Sequence, residues 1–134
     1  MKIKIENSTS KLRYVYDNVS SFCDDNKVAN DIKLTLNLII EEYITNTIVH
    51  GSKVNQSNNI EIELKMNHEF IHTIIIDNAD EFNPLEHQIP NLEDKINSRI
   101  PGGLGVLLIN EKADTKEYTR KDNKNIFKFS IKKN

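Results

Sequence analysis

Glu42, Asn46 and His50 recur at four-residue intervals. Four residues carry an α-helix about 40° past one full turn, so in a helix the three side chains share one stripe. Apolar neighbours flank Glu42 and Asn46, with Leu38 and Val49 on one side and Ile39 and Tyr43 on the other. A carboxylate held against apolar surface is costly unless it has a partner or a task. The amide oxygen of Asn46 is a hard donor of the kind Mg²⁺ prefers. A carboxylate one turn earlier could orient or deprotonate a nucleophile beside bound phosphates. An isolated E-x-x-x-N is also common in helices that merely cap or bridge, so the pair needs company. Lys33, Asn37, Glu41 and Thr45 form a second polar stripe, which reads as the solvated face.

Two further groups supply that company. Asp77 ends the apolar run Ile74-Ile75-Ile76; taken alone it is equally well a strand-end acid bonded to its own turn. Gly102-Gly103-Leu104-Gly105 opens another apolar segment. Glycines let a backbone approach a polyphosphate closely, and the free amides of a helix N-terminus attract anions. A lone G-G-x-G is equally a hinge. The order of all three groups carries the weight. His50, His68, His72 and His87 have no metal-ligand spacing, and the single Cys23 can form neither an intrachain disulfide nor a zinc site.

The elements that must position these residues follow from periodicity. Residues 2–6 alternate as a strand, with Ile3 and Ile5 on one face. Asn7 to Ser10 offer capping oxygens to a helix through Leu12, Val15, Tyr16, Val19 and Phe22, which Asp24-Asp25-Asn26 ends. A longer helix runs from about Val28 to Val49, stopped by Gly51. After a polar loop at 55–59, Ile60, Ile62, Leu64 and Met66 alternate with charged residues, and a hairpin leads into a strand at 70–77. No period is visible from Asn78 to Pro101; a loop this long in a small domain is usually functional. A helix to about Ala113 and two strands near 116–120 and 125–132, around an Asp122-Asn123 turn, complete the chain. This order predicts one α+β domain over 1–134, a two-layer sandwich with helices on one face of a largely antiparallel sheet.

Composition narrows the function classes. The 134 residues are 37% hydrophobic and 28% charged, with 18 basic and 20 acidic side chains and a formal charge of −2. That balance suits a soluble globular fold and gives no polyelectrolyte footprint for nucleic acid. The alternating start Met1 to Glu6 is neither a signal peptide nor a membrane span, so a cytoplasmic location is expected.

Glu42-x-x-x-Asn46-x-x-x-His50-Gly51, then Asp77 to Pro84, then Gly102 to Gly105, resemble the three nucleotide-binding boxes of the GHKL (Bergerat-fold) ATPases. The branch most similar is that of anti-sigma factors that are also serine/threonine-protein kinases. There the Asn box also ends in His-Gly, a D-x-G-x-x-F-x-P stretch follows, and the last box reads G-G-L-G-hydrophobic. The resemblance covers the whole chain and implies ATP and Mg²⁺ as cofactors. It implies Glu42 as general base, Asn46 as the Mg²⁺ ligand, and Asp77 as the acceptor of the adenine amino group. His50, Ala79, Phe82, Gly102, Gly103, Leu104 and Gly105 would complete the nucleotide site, with 79–101 as a lid. The implied partners are a sigma factor or analogous regulator and a small anti-anti-sigma antagonist, with a possible homodimer and the region 8–30 as the place to look for contacts. The chain has room for a nucleotide pocket but not for a sensor, so a signal would arrive through another protein.

Two positions depart from the family pattern. The Asp-box glycine is Ala79, which fits only if the backbone angle there is negative. After the last box the family often carries Arg or Lys near Asn110 and Glu111, where this chain has Lys112, leaving Arg99 or a partner to supply a cation. These departures motivate an alternative, a nucleotide-gated binding module without phosphoryl transfer. A third reading, the ATPase domain of a sensor histidine kinase, is disfavoured by the short lid, the His50-Gly51 ending and the absence of a phosphoacceptor helix ahead of Met1.

Overall fold

Alternating burial turns the apolar runs of this chain into one sheet. The computed structural model describes residues 1–6, 8–50, 59–86 and 104–133. Among them run β1 (Lys2–Glu6), β2 (Asn59–Met66), β3 (Phe70–Asp77), β4 (Thr115–Lys121) and β5 (Lys124–Lys132). The helices are α1 (Leu12–Asp25), preceded by a 3₁₀ turn at Thr9–Lys11, α2 (Asn30–His50) and α3 (Leu104–Lys112). All neighbouring strands pair antiparallel, in the order β1-β2-β3-β5-β4. This is the expected α+β architecture.

The register aligns Ile3, Ile62, Ile75 and Phe127 across four strands, and all four are buried against the helices. Each such side chain contributes roughly 1.5–3 kcal/mol by leaving water. On the other face Lys2 pairs with Glu61 at 2.8 Å and Lys65 with Glu63 at 3.0 Å. Their lysine partners are exposed, so these pairs set little of the stability.

The helix layer departs from the expectation in two instructive places. α1 buries Val15, Val19 and Cys23 and ends in a Schellman motif. Val28 N donates to Cys23 O at 2.9 Å, Lys27 N donates to Asp24 O at 3.2 Å, and Lys27 takes the left-handed conformation at φ 56°. Residues 27 and 28 thus belong to the end of α1, and α2 begins at Asn30 rather than Val28. The second polar stripe of α2 is not simply solvated. Asn37 is buried and donates to Ser20 Oγ and to Lys33 O, both at 3.2 Å, while Lys33 Nζ meets Asp24 Oδ1 at 2.8 Å. That stripe lies along the seam with α1; only Glu41 of the four is fully exposed. A helical wheel reports which residues share a side, not which neighbour arrives there.

The predicted turns hold. Asn67 Oδ1 accepts from the amides of Glu69 (2.9 Å) and Phe70 (2.7 Å), closing the β2–β3 hairpin. Asp122 and Asn123, at φ 53° and 61°, make the two-residue turn whose twist suits β4 and β5. Burial raises the Cys23 thiol to about 11, so it packs as a small apolar group. The described part of the expected lid, 78–86, contains neither helix nor strand. Its remainder, the polar loop at 55–58 and Gly51 lie outside the described residues.

Candidate functional site

β3 delivers Asp77 to the buried face because it follows Ile71, Thr73 and Ile75 at alternate positions. The residue is 2% exposed. Its Oδ1 accepts from Ala79 N at 3.0 Å and Asn125 Nδ2 at 2.8 Å, and its Oδ2 accepts from Tyr43 Oη at 2.8 Å. A carboxylate offers about four lone-pair sites, so Oδ2 retains one acceptor position. Tyr43 comes from the inner face of α2, where its ring stacks on Phe127 at 5.7 Å. Burial, and then the adjacent Asp77 charge, raise the Tyr43 pKa far above the ordinary phenol value, so the hydroxyl stays a donor.

The loop leaving β3 is fixed from the other side by the last two strands. Positive φ at non-glycine residues occurs among the described residues at Lys27, Asp122 and Asn123, so Ala79 sits in ordinary backbone geometry. Its methyl group is buried without the strain that a left-handed angle would impose. Ala79 O accepts from Arg120 Nη1 at 2.9 Å, and Phe82 N donates to Asn125 Oδ1 at 3.2 Å.

On α2, Glu42 and Asn46 are both half-buried on the predicted stripe. Glu42 Oε1 is fully buried and has no hydrogen-bond partner among the described residues. α3 reaches the same stripe through Gly105. A Cβ at Gly105 would lie 2.5 Å from Glu42 Cγ and 2.7 Å from Glu42 Cβ. Apart from the approach to phosphate that the resemblance implies, Gly105 therefore answers a packing demand made by Glu42 itself. Gly105→Ala reads this out by sign. In an unencumbered helix the change stabilises by up to about 1 kcal/mol. Here it is expected to destabilise by about 1–3 kcal/mol through overpacking, seen as a lower urea midpoint with an unchanged slope.

The structure thus joins Glu42 to Gly105, Tyr43 to Asp77, and Asp77 to Ala79, and α2 is the element common to the Asn box and both others. Phe82 joins the group through its backbone amide. His50 is the last residue of α2 and Leu104 the first of α3, but their side chains lie outside the described residues, as do Gly102, Gly103 and Arg99. Tyr43, Asn125, Arg120 and Tyr118 were not among the expected site residues. The signal that could have found Asn125 is the β3–β5 register, which sets it opposite Asp77.

The donor set bears on a cation. No cluster of three or more His, Cys, Asp or Glu side chains suited to a metal occurs among the described residues. One amide oxygen on Asn46, with the unpartnered Glu42 Oε1 on the same stripe, fits Mg²⁺ that draws its other ligands from phosphates and water. A cavity of about 530 Å³, lined by Lys4, Glu6, Glu61, Ile76 and Lys124 among others, includes neither Glu42 nor Asn46. Among the described residues no helix is long and apolar enough to cross a membrane.

Comparison with known proteins places this geometry. In fold, the chain is similar to the histidine kinase domain of a blue-light activated histidine kinase from Erythrobacter litoralis. The TM-score there is 0.51 at 18% identity, over 75% of this chain and 44% of that one. It is also similar to the histidine kinase AdeS from Acinetobacter baumannii, with a TM-score of 0.50 at 15% identity, over 100% of this chain and 68% of that one. The chain thus matches less than half the length of the first. A search of curated proteins finds no match. Residues 5–131 match the histidine kinase-like ATPase domain. With nearly the whole sequence inside that match, the chain belongs to the histidine kinase-like ATPase domain family, within the GHKL superfamily.

Proposed function

We propose that this protein is an ATP-binding anti-sigma factor and serine/threonine-protein kinase that phosphorylates a small anti-anti-sigma antagonist in a partner-switching circuit. The observation that carries the catalytic part is Glu42, whose buried, unpartnered carboxylate oxygen shares a helix stripe with Asn46 and faces the glycine box. A carboxylate kept in that condition is poorly explained by stability and well explained by a proton to accept. Asn46 would hold Mg²⁺ against the nucleotide phosphates. When bound, the ion supplies charge neutralisation for phosphoryl transfer, a reaction that asks the protein chiefly for position and electrostatics. Asp77 Oδ2 would accept the exocyclic amine of adenine. Glu42 would take the proton from a serine hydroxyl of the antagonist. The unstrained Ala79 removes one reason for a degenerate site. The anti-sigma branch itself is supported by the His50-Gly51 ending, by Asp77, Phe82 and Pro84 in one stretch, and by the Gly-Gly-Leu-Gly box.

The test is incubation with γ-labelled ATP, Mg²⁺ and a small antagonist protein, alongside calorimetric titration of ATP. Phosphoserine on the antagonist, at a rate dependent on Mg²⁺, is the expected result. Tight ATP binding without transfer would leave a nucleotide-gated binding module, and no binding would overturn the reading altogether.

A further inference from the structure

Asn125 is 1% exposed, stands opposite Asp77 in the sheet, and makes five hydrogen bonds through one side chain. Its Nδ2 donates to Asp77 Oδ1 at 2.8 Å and to Asp80 O at 2.9 Å. Its Oδ1 accepts from Phe82 N at 3.2 Å, from Arg120 Nη1 at 3.1 Å and from the Tyr118 hydroxyl. The amide orientation is fixed by chemistry, because both partners of the nitrogen are acceptors and the backbone and guanidinium partners of the oxygen can only donate. Asparagine is the natural solution. Aspartate would set a second carboxylate against Asp77, and an apolar residue would strand donors and acceptors on both sides.

A merely architectural asparagine would bind its own turn or the neighbouring strand. Asn125 instead binds Asp77 and two backbone groups of the loop that follows it, at residues 80 and 82. Arg120, which also holds Ala79 O, and Tyr118 brace it from the edge strand β4. We infer that Asn125 is the positioning residue for nucleotide-base selection. By holding Asp77 Oδ1 it turns Oδ2 toward the base, and by clamping residues 80 and 82 it fixes the floor of the loop beside it. This rests on the nucleotide reading above and deepens it. Specificity for a 6-amino purine would come from Asp77, and its sharpness from Asn125, which itself touches no ligand.

The experiment compares wild type, Asn125→Ala and Asn125→Thr by calorimetry with ATP and with purine riboside 5′-triphosphate, which lacks the 6-amino group. Hydrogen exchange of the Ala79 and Phe82 amides is followed without nucleotide. In Asn125→Ala, ATP affinity is expected to fall about 10-fold or more and affinity for the analogue less than about 3-fold, so the preference collapses. Asn125→Thr, which retains one donor, should recover part of that preference and guards against a failure of the alanine variant to fold. Exchange at residues 79 and 82 should rise about 10-fold or more while the amide of Ile62 in β2 is unchanged. Equal loss of both nucleotides with the preference intact would reduce Asn125 to a structural role and overturn the inference. So would a wild type that binds both nucleotides equally, or unchanged exchange at 79 and 82. A wild type that binds neither nucleotide fails the nucleotide reading, and base selection by Asn125 falls with it; raised exchange would then show only the loop clamp.

Discussion

Asp77→Asn is expected to lower ATP affinity roughly 100-fold while leaving a folded protein. Three donors converge on this carboxylate, and all three are buried or part-buried. In the asparagine variant the side-chain oxygen can still accept from Ala79 N and Asn125 Nδ2. The new amide then faces Tyr43, whose hydroxyl can rotate to accept, so the core loses about 1–2 kcal/mol. The base has no such freedom. Where Oδ2 offered a lone pair, the variant offers an N–H to an exocyclic amine that is itself a donor, and two donors in a buried site repel. Asp77→Ala is the harsher change. It leaves the Tyr43 hydroxyl, the Ala79 amide and one Asn125 hydrogen without partners, and about 3–5 kcal/mol of stability should go with the binding. Calorimetry with ATP and denaturant unfolding of both variants separate the two effects. An asparagine variant that keeps wild-type ATP affinity would remove Asp77 from base recognition.

The contrast between Asp77 and its partners shows what a sequence can carry. Asp77 was legible because strand alternation fixes its face and the end of an apolar run fixes its place. Glu42 and Asn46 were legible because a four-residue interval on a helix is a spatial statement in itself. The partners of Asp77 obey no local rule. Tyr43 reads as one more apolar neighbour on α2, and its hydroxyl becomes meaningful only once β3 packs beneath that helix. Asn125 lies 48 residues beyond Asp77, and the two meet because β5 inserts between β3 and β4. The Asp122-Asn123 hairpin was readable, but the insertion was not. Asn37 failed for the related reason that periodicity cannot say whether a polar stripe faces water or a second helix. The late start of α2 was set by Lys27, a residue with no preference for the left-handed angle it adopts.

Glu42→Gln is expected to abolish most phosphoryl transfer, by about 10²–10⁴-fold, without lowering stability. The wild-type side chain places one carboxylate oxygen in a buried position with no hydrogen-bond partner among the described residues, packed beside Gly105. Glutamine has nearly the same shape, so the contact with Gly105 persists and α3 need not move. It carries no charge, so the desolvation cost of an unpaired carboxylate oxygen is replaced by the smaller cost of a neutral amide. Unfolding free energy should therefore hold steady or rise by up to about 1 kcal/mol, and ATP affinity should change less than about 3-fold because Asp77 and Asn46 are untouched. The pairing of outcomes is the discriminating feature. A residue kept for packing loses stability when replaced and affects activity only through folding, whereas a residue kept for chemistry against the interest of the fold does the reverse. Full transfer activity in the glutamine variant would dismiss Glu42 as the base. A marked loss of stability with the same substitution would mean that its oxygen has a partner the proposal does not credit, and the case for a stored catalytic carboxylate on α2 would fall.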